Sequence, residues 1–111
     1  KLNGKWLPEG QGTQTAPFDF HLGIGQIYYV YPDSISGFVH NYFNVSLPGS
    51  GFDVDAGEKK TLKITMQVEN WFTGPNLYDH DVYGGYIMQN QEAMQKVKEN
   101  GNNVFTFDVL N

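Results

Sequence analysis

His21 carries the most chemical promise of any single residue in this sequence. In an extended chain it shares a face with Asp19, opposite Phe18 and Phe20, and Gly23-Ile24-Gly25 follows almost at once. An imidazole beside a carboxylate suits a metal ligand whose second ring nitrogen is oriented by the acid. The plainer alternative is a histidine bonded to a loop carbonyl. A second concentration of ligand types is Asp79-His80-Asp81, within the long polar stretch from Pro75 to Gly85. Carboxylates with imidazole suit zinc or copper, and loops carry function more often than their length would suggest. Aspartate is equally a turn residue that bonds its own backbone. Asp19, His21, Asp79, His80 and Asp81 are therefore the candidate metal ligands, each with a structural alternative beside it. Asp53 and Asp55 resemble half of a calcium loop, but the closing glutamate is missing, so they read as a solvated turn.

Trp6, Trp71, Tyr83 and Tyr86 could stack on sugars; packing is the competing use, and the stronger one for Trp71. Catalytic signatures are lacking: no G-x-S-x-G elbow, H-E-x-x-H pair or phosphate-cradling loop occurs. Gly23-Ile24-Gly25 lacks both a third glycine and a following helix, so a dinucleotide site is not supported. The expectation is a protein that is not an enzyme.

The elements that must position these residues are mostly strands. Alternation marks residues 16–21, 38–47 and 61–68, and a β-rich run covers 27–31 up to Pro32. In 61–68, Leu62, Ile64, Met66 and Val68 fall on one face with Lys63, Thr65 and Gln67 on the other, which predicts that the apolar four are buried together. One helix is expected near residues 90–100. Asn90 suits its N-cap, Glu92 in the first turn and Lys96 and Lys98 near the last complement its dipole, Ala93, Met94 and Val97 form a narrow apolar stripe, and Gly101 fits a left-handed C′ position. A last strand covers 104–110. The fold class that follows is mainly β, an antiparallel β-sandwich-like domain of about five to seven strands with one short helix.

Composition closes several doors. The 111 residues fit one domain, here 1–111. All seven basic residues are lysine, against twelve acidic ones, for a net charge of −5. Nucleic acid is excluded as a partner, because its readers need a basic patch and favour arginine. Without cysteine there is no disulfide scaffold, thiol chemistry or cysteine-based zinc site. No apolar run is long enough for a transmembrane segment.

Three stretches together resemble the MbnP-like, methanobactin-associated copper-binding proteins of the bacterial envelope. Phe18-Asp19-Phe20-His21-Leu22-Gly23 is similar to that family's "HLG" segment. Thr65-Met66-Gln67-Val68-Glu69-Asn70-Trp71-Phe72 resembles the strand leading into its "W-F" corner. Ile87-Met88-Gln89-Asn90-Gln91, with Ala93, Met94, Glu99-Asn100-Gly101 and Val104-Phe105, is similar to its closing helix and strand. The likeness covers the C-terminal half of the family domain, implying that this chain is the C-terminal part of a larger sandwich. It further implies a periplasmic protein or lipoprotein in the outer envelope of a Gram-negative bacterium. Copper would be the metal, with His21 among its ligands, and a dihaem peroxidase-like protein a partner. Four-cysteine members of the family carry cysteines shortly after the "HLG" segment, whereas this chain has none.

The functional expectation is a metal-binding envelope protein. Two alternatives stand beside it: a glycan- or surface-ligand-binding lipoprotein module without metal, and a purely structural β domain. The strand edges left open by a half domain predict a homo-oligomer, or a companion N-terminal fragment.

Overall fold

Alternating strands separated by glycine and proline turns fold into three separate two-stranded antiparallel ribbons. The computed structural model describes residues 1–110. β1 (Leu2–Trp6) pairs with β2 (Ala16–Phe20), β3 (Ile24–Val30) with β4 (Ser34–His40), and β5 (Thr61–Met66) with β6 (Phe105–Leu110). Three helices lie between β5 and β6: α1 (Asn70–Thr73), α2 (His80–Tyr83) and α3 (Gln91–Asn100). Strand residues outnumber helical ones and every ribbon is antiparallel, in line with the mainly-β expectation. The ribbons do not join into larger sheets.

α3 forms where the sequence places it. The Asn90 side chain accepts a hydrogen bond from the Ala93 amide, capping the first turn. Its far end departs from expectation. Gly101 keeps a right-handed φ of −54° and runs into a short 3-10 turn instead of reversing the chain in a left-handed cap. Ala93, Met94 and Val97 are buried against Phe20, Trp71, Tyr78, Ile87 and Val104, and this cluster is the core.

Two buried amides hold the core to its surroundings. Asn100 donates to the carbonyls of Trp71 (2.9 Å) and Asn76 (2.7 Å) and accepts from the Asn76 amide (2.8 Å), tying α3 to the chain after α1. Asn41 and Gln91 exchange two amide hydrogen bonds, of 2.9 and 3.2 Å, which fastens the end of β4 to the start of α3. Gly25 is packed so closely against this pair that a Cβ there would collide with the Gln91 side chain.

The β5–β6 ribbon corrects one expectation. Its pleat has the expected phase: Leu62, Ile64 and Met66 stand opposite Val109, Phe107 and Phe105, while Lys63 faces Asp108 and Thr65 faces Thr106. The apolar face is nevertheless uncovered, with Leu62, Ile64, Met66 and Val68 all 43–64% exposed. Alternation fixes which side chains share a face, but burial also needs a second layer, and only the Phe105 end of this face meets the core, at Trp71. The chain as a whole is open. Among the described residues, eight apolar ones form the core while twenty large ones are exposed. The radius of gyration is 18.3 Å, against about 13 Å for a compact chain of similar length.

The alternating run at 38–47 is only partly a strand. β4 ends at His40, and beyond it the chain has no ladder partner. Burial still alternates: Asn41 is buried and Phe43, Val45 and Leu47 are half-buried, whereas Tyr42, Asn44 and Ser46 are exposed.

Candidate functional site

β2 sorts the candidate ligands onto two faces. Phe18 and Phe20 point into the aromatic core, where His80 meets them at ring-centroid distances of 5.3 and 5.7 Å. Asp19 and His21 point the other way. The two histidines therefore sit on opposite sides of β2 and cannot share a metal ion.

On the outer face, His21 Nε2 lies 3.2 Å from Asp19 Oδ1, and Lys1 Nζ lies 3.2 Å from Asp19 Oδ2. The expected His–carboxylate pairing is thus present. The imidazole approaches Asp19 Oδ1 off hydrogen-bond geometry, leaving that buried oxygen without a bonded donor. Lys1 competes for the same carboxylate. Among the described residues no group of three or more histidine, cysteine or acidic side chains is arranged to hold a metal ion. The Asp19–His21 pair supplies two donors, and copper in an N/O environment prefers a fuller, tetragonal set. The side chains at this position do not by themselves fit a copper centre.

On the inner face, His80 opens α2 and is enclosed by Trp6, Phe18, Phe20, Phe72 and Tyr78, with ring centroids 4.9–5.7 Å away. Desolvation lowers its pKa, and the opposing pull of Asp79 and Asp81 is the smaller effect. His80 Nε2 and Trp6 Nε1 are both buried without an acceptor. The flanking acids are structural. Asp79 caps α2 by accepting from the Asp81 amide (2.9 Å), and Asp81 accepts from the Glu9 amide (2.9 Å), tethering the turn after β1. Asp79, His80 and Asp81 therefore work as a cap, a ring in an aromatic stack and a loop tie.

The cavity beside β1 and β2 is the more promising feature. It encloses about 290 Å³ and is walled by Leu2, Leu22, Phe43, Met66, Trp71 and Phe105, with Lys1 also in its lining. Its size approaches the lower end of the range for small-molecule sites. Leu22 places the cavity next to His21, and Lys1, whose side chain pairs with Asp19, is part of its lining. Trp71 is buried edge-on to Phe43 (5.8 Å) and Phe105 (6.3 Å), so it serves packing and offers no exposed platform for a sugar. Lys1 and Phe43 escaped the sequence reading as site residues, because nothing in local spacing says that residues 1, 43, 66, 71 and 105 converge.

Comparison with protein families, curated proteins and solved structures finds no match for this chain.

Proposed function

We propose that this protein is a non-catalytic ligand-binding module of the bacterial envelope. Its ligand on this reading is a small amphiphile with an apolar body and an anionic head. The observation that carries the reading is the apolar cavity with Lys1 in its lining. Apolar walls with a few convergent polar groups are the usual make-up of small-molecule sites. The envelope location and lipoprotein character rest on the MbnP-like resemblance of the "HLG" segment. The three ribbons belong, on this proposal, to a sandwich-like domain whose second layer comes from another chain, since the apolar residues of β3–β4 and β5–β6 stand largely open.

The test is titration with 1-naphthoate, followed by tryptophan fluorescence in a Trp6→Phe background so that Trp71 alone reports. Saturable binding is expected. Leu22→Phe, which narrows the cavity without adding an indole, should weaken it at least tenfold, and Lys1→Gln should weaken the carboxylate but not the neutral 1-naphthalenemethanol. Binding that survives Leu22→Phe would overturn the reading. Metal binding is the second reading, favoured by the 3.2 Å approach of His21 to Asp19. Stoichiometric Cu(II) uptake abolished by His21→Ala would replace the amphiphile reading with it, the missing donors coming from a ligand or partner.

A further inference from the structure

Residues 42–47 form an extended segment without a strand neighbour. Among the described residues, none of their backbone amides donates a hydrogen bond, and the one bond to their carbonyls is from Ser50 to Leu47 (3.3 Å). Burial alternates along the segment as it does in a strand, with Phe43, Val45 and Leu47 half-buried and Tyr42, Asn44 and Ser46 exposed. Proline and glycine at 48–49 set its end.

Other edges of the molecule are blunted. β1 carries Lys5, β2 carries Asp19 and is bridged by Tyr86, β5 carries Lys63 and β6 carries Asp108. The β3–β4 ribbon has register irregularities after Ile27 and Tyr28. Charges and bulges of these kinds are how natural sheets prevent edge-to-edge pairing. Residues 41–52 contain no charge and no such irregularity among paired strands. The segment also complements itself. Placed antiparallel across a two-fold axis at Val45, Phe43 meets Leu47 of the other copy, Asn44 meets Ser46, and no like charges face each other.

We infer that residues 42–47 are a docking edge for the same segment of a second copy of this chain, paired antiparallel about Val45. A groove of about 430 Å³ between this segment and β6 is walled by Val45, Leu47, Phe105 and Phe107, and gives the incoming apolar side chains room. One strand pair alone falls short of the roughly 1,000 Å² that a specific interface buries. The open face that continues from Phe107 to its cross-strand partner Ile64 supplies further apolar area. The inference rests on the open-sandwich reading but not on the ligand cavity.

Sedimentation equilibrium, with amide exchange measured at two protein concentrations, tests it. The expected result is a monomer–dimer equilibrium in which the amides of residues 42–47 slow as the dimer forms. Ser46→Pro removes an unpaired amide and should raise the dimer dissociation constant at least tenfold. Asn44→Lys brings charge to the edge and should act in the same direction if the proline variant fails to fold. A monomer at every concentration overturns both the docking edge and the open sandwich. A dimer unmoved by both substitutions overturns the docking edge alone, leaving closure through another face.

Discussion

The core around α3 and the β5–β6 ribbon use the same residue types to opposite ends. Around α3, Phe20, Trp71, Tyr78 and Ile87 come from four other places in the chain and close on Met94 and Val97. In the ribbon, six apolar residues from two strands line one face, and the β5 members stay largely exposed. The core is finished with polar fasteners, above all the three hydrogen bonds of Asn100. The ribbon has only its ladder and polar cross-strand pairs such as Lys63 with Asp108. Apolar patterning thus selects a face, and only convergence of distant segments turns that face into an interior.

Substitutions can break or sharpen this contrast. The largest effect is expected for Phe20→Ala, which empties the centre of the aromatic cluster and should cost about 4 kcal/mol in urea unfolding. Next comes Asn100→Ala, at about 3 kcal/mol, because it strands the Trp71 and Asn76 carbonyls and the Asn76 amide. Asn90→Ala removes one cap bond from α3 and should cost about 1 kcal/mol. Ile64→Ala should cost the least, under about 1 kcal/mol in dilute monomer, since its side chain is already in water. A loss at Ile64 equal to that at Phe20 would mean that the ribbon face is covered in solution, and the contrast would fail.

His80 adds a pH signature that belongs to the core alone. Its folded pKa is lowered by desolvation from the ordinary 6.5. Below that value the unfolded chain binds the proton more readily than the folded one, so stability should fall as pH drops below about 6.5 and be fully present above it. His80→Phe keeps a ring in the aromatic enclosure and removes the titration. Urea midpoints measured between pH 5 and pH 8 should lose this component in the variant. An unchanged pH dependence would assign it to other groups.

Much of the secondary structure was legible, because its signals are local. Alternation located β2 and β5, and Asn90 with the stripe at Ala93, Met94 and Val97 located α3. The Asp19–His21 pairing was legible for the same reason: period two puts residues i and i+2 on one face. His80 shows the opposite. Its acidic neighbours suggested a ligand cluster, while five rings from β1, β2 and the chain around α1 make its surroundings aromatic. None of those rings is adjacent to it in sequence.

The sequence by itself determined the strand phases, the position of the helix, the lack of thiol chemistry, and which residues share a face. These follow from backbone periodicity and composition, which act over a few residues or over the whole chain at once. Only the tertiary structure decided that the two histidines lie on opposite sides of β2, that a cavity opens beside Trp71, and that the face of Leu62, Ile64 and Met66 is uncovered. Each of these depends on which distant segments meet, and a face carries no local mark of whether another layer will reach it.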